Sequence, residues 1–417
     1  MFLYIDPGTG SMLFTILIGI ITAGIFAVRG LIVKIGFLIK GGRNKDLMKA
    51  EYKQYEYVIF SDSKRYWNVF KPICDEFERR ETGLEYWTMS PDDPALEVEY
   101  KYVHCLFIGE GNVAFAKLNM MKADICLSTT PGLDVYQWKR SKNVRKYIHI
   151  THDVCAITAY RMFGVDFYDS VLLPGEMLIP ELRDIEKLRG LPEKEVCVVG
   201  STYMDGLRRQ YEQYKETDKL KNERITVLVA PSWGASSILN KFGSSFLNAL
   251  VHTGFDIIVR PHPQSFISDP DLMKQLAEEF PESEHFSWNR DNDNFAVMSR
   301  SDLLISDFSG IIFDFSFTFG RPVIYADTNL DLSPYDDCWL DYEPWRLRIL
   351  PELGRELKES DFGDLREFIS KMLSDKEYEA RRHEIQKAAW NHQGEAARLV
   401  ADYLLNKHKE IVEEIKS

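Results

Sequence analysis

The sequence predicts an α/β protein with two doubly wound domains, and three observations carry that prediction. Short apolar runs of strand length alternate with amphipathic stretches of helix length from residue 57 to residue 326. The alternation is interrupted once, by a very polar helical stretch over residues 207–223, and then restarts. A length of 417 residues is enough for two ordinary cores.

Taken in order, the first half reads as strand 57–60, helix 64–80, strands 84–88 and 104–108, helix 113–121 and strand 125–128. Strand 146–151 ends at His152, and strand 170–173, helix 176–189 and strand 196–200 follow. Beyond the polar helix come strand 225–230, helix 236–252, strand 256–260, helix 269–280 and a short helix over 294–299. Strand 303–306, helix 311–319 and strand 323–326 complete the second unit. Helices over 362–373, 376–389 and 394–416 form a tail. Strands separated by helices belong to parallel sheets covered on both faces.

Before the first strand, residues 11–28 carry no charge and are almost wholly apolar. A run of ~18 residues is the lower limit for a membrane-spanning helix. Arg29, Lys34, Lys40, Arg43 and Lys45 all follow it, which places the rest of the chain on the cytoplasmic side. The expectation is a single-pass or monotopic membrane anchor. No Lys or Arg precedes the apolar run, which disfavours a cleaved signal peptide. The predicted division is anchor and flank over 1–45, one α/β domain over 46–205, a second over 206–392, and a C-terminal helix over 393–417.

A net charge of −13 excludes nucleic acid as the main partner, since no basic field is available to neutralise phosphates. Six scattered cysteines without a C-x-x-C pair read as reduced thiols of a cytoplasmic body, with no structural zinc.

In doubly wound sheets, ligands bind beyond the carboxyl ends of the strands. The segments found there are His152-Asp153, Gly200 to Asp205 with Ser201, Pro231-Ser232-Trp233, Arg260-Pro261-His262-Pro263 and Ser306-Asp307-Phe308-Ser309-Gly310. Most carry a basic group or small hydroxyl residues, which suits an anionic ligand bearing phosphate. A helix that starts after Gly310 offers unpaired N–H groups to such an anion, and Ser306 and Ser309 add hydroxyl donors. His262, held between two prolines beside Arg260, suits a pyrophosphate. His152 suits the general base for an alcohol. His149 and His152 lie three apart, so only one of them faces the cleft. Asp291-Asn292-Asp293 matches a metal-binding D-x-D, but it follows no apolar strand and reads as a solvated turn.

The set Ile258-Val259-Arg260-Pro261-His262-Pro263, Ile305-Ser306-Asp307-Phe308-Ser309-Gly310-Ile311-Ile312-Phe313-Asp314-Phe315 and Gly320-Arg321-Pro322-Val323 resembles the CDP-glycerol glycerophosphotransferase family of teichoic-acid primases and polymerases. Val198 to Asp205 and Leu228 to Trp233 look like two further family stretches in the right order. The resemblance implies a GT-B-like fold, with two Rossmann-type domains facing a cleft. It also implies transfer of glycerol phosphate from CDP-glycerol to a hydroxyl of a lipid-linked or cell-envelope glycan, with release of CMP. His262 then matches the histidine on the donor's phosphates, and Ser306, Asp307 and Ser309 match the donor-phosphate segment. His152 matches the proposed base. The family usually follows that base with Gly-Thr-Pro, where this chain has Asp153, Val154 and Cys155. Gly310 replaces a serine. Chemistry of this kind is positioning plus electrostatics and calls for no metal or cofactor. A GT-B glycosyltransferase using a nucleotide sugar, and a non-catalytic nucleotide-binding membrane scaffold, are the alternatives.

Overall fold

The alternating apolar strands assemble into two parallel sheets in the computed structural model, which describes residues 53–155, 157–217, 224–291 and 293–417. The expected membrane anchor lies outside the described residues. Among the described residues, no helix is long and apolar enough to cross a membrane.

The first sheet holds β1 (Tyr55–Ser61), β2 (Leu84–Thr88), β3 (Val103–Phe107), β4 (Ala123–Ser128), β5 (Val144–Ile150), β6 (Ser170–Leu173) and β7 (Glu195–Val198). Its order is β3-β2-β1-β4-β5-β6-β7. The second holds β8 (Thr226–Val229), β9 (Asp256–Val259), β10 (Phe286–Trp288), β11 (Leu303–Ser306), β12 (Val323–Ala326) and β13 (Gly354–Leu357), in the order β10-β9-β8-β11-β12-β13. Every registered pair is parallel. Each sheet reverses its winding beside its first strand, between β1 and β4 and between β8 and β11. That is where a crevice opens at the carboxyl edge. β10 and β13 are the two strands that the sequence pattern does not announce.

Helices of nine residues or more are α1 (Trp67–Arg79), α2 (Gly111–Met120), α3 (Ile179–Arg189), α4 (Thr202–Thr217), α5 (Ile238–Val251), α6 (Pro270–Glu279), α7 (Ile311–Phe319), α8 (Leu365–Ser374), α9 (Glu377–Ala389) and α10 (Ala396–Lys416). α1 shows why such stretches fold as they do. Trp67, Phe70, Ile73, Cys74 and Phe77 recur at helical spacing and are buried against Ile59 and Tyr86 of the sheet. α7 has apolar residues on all sides and is almost wholly buried, with Phe313, Phe315, Phe317 and Phe319 in the core of the second unit. The last helix, α10, returns to the first sheet, where Val400, Leu404 and Ile411 join the core around Phe70 and Ile73.

One departure from the expected elements matters for the site. The helix expected from residue 207 begins at Thr202, because Ser201 Oγ accepts the N–H of Met204 and caps it. The stretch from Gly200 to Asp205 is therefore a helix start, not a loop over the cleft. Gly200 has φ +83°, and a side chain there would collide with the carbonyl oxygen of Asn391 at 2.6 Å. Asp205 accepts N–H groups of Gly394 (2.7 Å) and Ala396 (3.1 Å) and the indole N–H of Trp390 (3.1 Å). These residues fasten α10 to α4. They do not face the cleft.

Candidate active site

A cleft of about 700 Å³ opens where the carboxyl edges of the two sheets meet. One wall comes from the first unit, with Lys64, Arg65, Tyr66, Asp92, His152 and Asp153. The other comes from the second, with Arg260, His262, Asp293, Ser309, Gly310 and Asp314. Tyr203 of α4 sits between them.

His152 follows β5, and its placement depends on its neighbours. Thr129, which follows β4, holds Nδ1 through its hydroxyl at 3.3 Å. Tyr66 packs against the imidazole with ring centroids 5.0 Å apart. Nε2 lies 3.9 Å from the Asp153 carboxylate, which is itself fixed by accepting the N–H of Cys155. His149 is not part of the cleft wall. It is fully buried, bonded to the Tyr160 hydroxyl at 3.0 Å, and burial lowers its pKa to about 3. Of the two histidines, His152 is the one that lines the cleft.

His262 follows β9. The backbone N–H of Gln264 donates to its Nδ1 at 3.1 Å, so the ring proton of the neutral form sits on Nε2. Burial first, then the charges of Arg65 and Arg260, lower its pKa to about 4. Near neutral pH it is an uncharged N–H donor. Arg260 is anchored from behind, with Nη1 on Asn289 Oδ1 and on the Asp291 carbonyl at 2.8 Å. Ser309 and Gly310 bring the start of α7 into the cleft, and no side chain caps that helix. Its N-terminal field therefore points at whatever the cleft binds.

Two expected phosphate-site residues, Ser306 and Asp307, and one expected cleft residue, Ser232, are held elsewhere. Ser306 Oγ donates to the carbonyl of Ala230 at 2.6 Å and ties β11 to β8. Asp307 is fully buried and accepts backbone N–H groups of Ser232 (2.9 Å), Ile238 (3.0 Å) and Phe308 (2.8 Å). Ser232 is buried by that same bond, and Pro231 takes the place at the cleft wall expected of it. For Ser306 and Asp307 the physical reason is the same. The residue that ends a buried strand must satisfy the backbone of the next turn, and a short polar side chain does so at close range. Asp307→Ala leaves three N–H groups unpaired and is expected to cost about 2–4 kcal/mol of stability, read as a lower midpoint in urea.

Sequence reasoning missed several residues that line the cleft: Lys64, Arg65, Tyr66, Tyr203, Asp293 and Asp314. Lys64 pairs with Asp92, and Arg65 bonds Ser63 Oγ at 3.3 Å through Nε. The signal for the first three was position, because they follow the first strand at the switch point. Asp293 was read as part of a solvated turn. It reaches the cleft because β10, which precedes it, adds to the edge beside β9.

Comparison with known proteins bears on the fold and the family. The CDP-glycerol:poly(glycerophosphate) glycerophosphotransferase family model matches residues 183–406, more than half of the chain. No functionally curated protein matches by sequence. Among solved structures, the wall teichoic acid polymerase TagF is similar with a TM-score of 0.56 and 16% identity, covering 93% of this chain and 99% of that one. A UDP-GlcNAc 2-epimerase from Neisseria meningitidis has a TM-score of 0.53 and 14% identity, covering 85% of this chain and 100% of its own. Likenesses this distant establish the shared two-domain fold, and the family match goes further: this chain belongs to the CDP-glycerol:poly(glycerophosphate) glycerophosphotransferase family.

Proposed function

We propose that this protein transfers glycerol phosphate, or another polyol phosphate, from a CDP-activated donor to a hydroxyl of a lipid-linked or cell-envelope glycan. The observation that carries the reading is the pair of histidines from two different domains on facing walls of one cleft, one beside a carboxylate and one beside an arginine.

His152 takes the proton of the acceptor hydroxyl. The alkoxide oxygen bonds to the phosphorus that carries the polyol, and the bond from that phosphorus to the bridging oxygen breaks. The bridging oxygen leaves with CMP. His262 Nε2–H, Arg260, Ser309 and the start of α7 face the phosphates and offset the charge that grows on the departing group. Because His262 is neutral near pH 7, it contributes a directed hydrogen bond, while Arg260 contributes charge. The uncharged apolar run over residues 11–28, followed by basic residues, supports a lipid-linked acceptor.

Purified full-length protein in detergent or vesicles, given CDP-glycerol and a lipid extract, is expected to release CMP. CDP-ribitol and UDP-sugars run in parallel to define the donor. A glycosyltransferase would leave a nucleoside diphosphate instead. CMP binding without turnover of any donor would favour the scaffold.

A further inference from the structure

The floor of the cleft holds a carboxyl group that the mechanism above does not use. Asp314 sits in the first turn of α7, is 9% exposed, and lines the cleft beside Asp153 and Tyr203. Its Oδ2 has a single long hydrogen bond, 3.4 Å, to the Tyr203 hydroxyl. Its Oδ1 is buried and has no partner. A carboxylate buried in this way would need a cation or several N–H donors. Among the described residues none reaches it.

The groups around it decide its protonation state. From the loop after β5 come the Asp153 carboxylate and the Cys155 thiol. From α4 comes the Tyr203 hydroxyl, which in turn faces Asn294 and Asp293. Arg346, whose charge reaches Cys155, is committed to Asp337. Across the cleft stand Arg65 and His152, and Arg260 and His262 share the wall of Asp314. Burial, then the negative charge of Asp153, raise the Asp314 pKa to about 8. At neutral pH the group is a carboxylic acid. Oδ2 has only the Tyr203 hydroxyl and Oδ1 has no partner, so among the described residues nothing receives the proton of this acid at the cleft wall.

We propose that Asp314 binds the donor as a neutral acid, donating from its carboxyl to an oxygen of the anionic CDP-polyol. This rests on the donor class proposed above. A second ionised carboxylate beside Asp153 would repel the phosphates, whereas a protonated one adds a hydrogen bond without adding charge. Asp314 would thus be a donor-binding residue that works only below its own pKa. An asparagine at this position also presents N–H donors and cannot ionise, so it separates this role from that of a base.

The test measures CDP-glycerol binding by calorimetry and CMP release, each from pH 6 to 9.5, in the full-length protein and in Asp314→Ala, Asp314→Asn and Asp153→Asn. Wild-type affinity is expected to hold up to about pH 8 and then fall, because deprotonation removes the donor and adds a negative charge. Asp314→Ala should weaken binding about 10- to 100-fold at pH 7. Asp314→Asn should recover most of that loss and flatten the alkaline limb. Asp153→Asn removes the neighbouring charge, lowers the Asp314 pKa, and should move the limb to lower pH. An Asn variant as weak as the Ala variant with an unchanged melting temperature, or a wild-type limb that survives in Asp314→Asn, would overturn the proposal. A wild type that fails to bind CDP-glycerol at any pH would instead overturn the donor assignment on which it rests.

Discussion

His152→Ala is expected to lower kcat by about 10²- to 10⁴-fold while the KM for the CDP-activated donor changes little. The imidazole stands on the wall of the first unit, across the cleft from Arg260, His262 and the start of α7. On the proposed mechanism, its removal takes away the proton acceptor and leaves the donor's partners in place. His262→Ala should behave differently, raising KM as well as lowering kcat, because on the proposed mechanism the Nε2–H meets phosphates present in both ground and transition states. Steady-state kinetics with the donor varied at saturating acceptor separates the two. Equal effects of both substitutions on KM would show that the two walls do not divide the work in this way.

Asp336→Ala is expected to be the most destabilising single change away from the cleft, at about 3–5 kcal/mol and a melting temperature lowered by roughly 10 °C. Asp336 belongs to a segment of the second unit that crosses to the first. Its carboxylate accepts the N–H groups of Phe163 (2.7 Å) and Gly164 (2.9 Å) and pairs with Arg189. Arg189 is 4% exposed and also holds Asp166 at 2.6 Å, with its guanidinium over the rings of Phe163 and Trp339. Next to it, Asp337 accepts the Thr158 hydroxyl at 2.5 Å and pairs with Arg346. Removing the Asp336 carboxylate strands a buried guanidinium with one partner instead of two. The segment it holds, residues 157–166, continues directly from the His152 turn, so looser docking should also lower kcat. Differential scanning calorimetry of Asp336→Ala beside Asp336→Asn checks this. The amide keeps acceptor capacity for one of the backbone groups and should lose less. A double change of Arg189 and Asp336 to apolar residues should recover part of the stability, because no charge is then left buried.

Much of the fold was legible because both sheets are parallel and buried on both faces. Their strands are short, continuous apolar runs, and α1 and α7 show helical spacing beside them. β10 and β13 were not legible, because Phe286-Ser287-Trp288 and Gly354-Arg355-Glu356-Leu357 mix polar residues into edge strands. The site divided along a similar line. Arg260, His262, Ser309 and Gly310 meet His152 and Asp153 in the cleft because residues just past the strand ends face outward. Ser306, Asp307, Ser201 and Asp205 occupy equally plausible positions but bond to nearby backbone, Gly200 lies against the Asn391 carbonyl, and Ser232 is buried beside Asp307. Sequence position cannot distinguish a polar group that caps its own turn from one that looks outward. Asp314 shows the converse. Within an apolar helix it reads as a core position, and only the three-dimensional neighbours Tyr203 and Asp153 mark it as part of the cleft.

The central claim is that the bond broken lies between the polyol-bearing phosphorus and the oxygen that leaves with CMP. Incubation of the full-length protein with CDP-glycerol labelled in the glycerol moiety and a lipid acceptor, followed by ³¹P NMR and mass spectrometry of both fractions, reads this directly. CMP and a new phosphodiester on the acceptor, formed in equal amounts and absent with His152→Ala, is the predicted result. CDP with unphosphorylated glycerol on the acceptor would contradict the account.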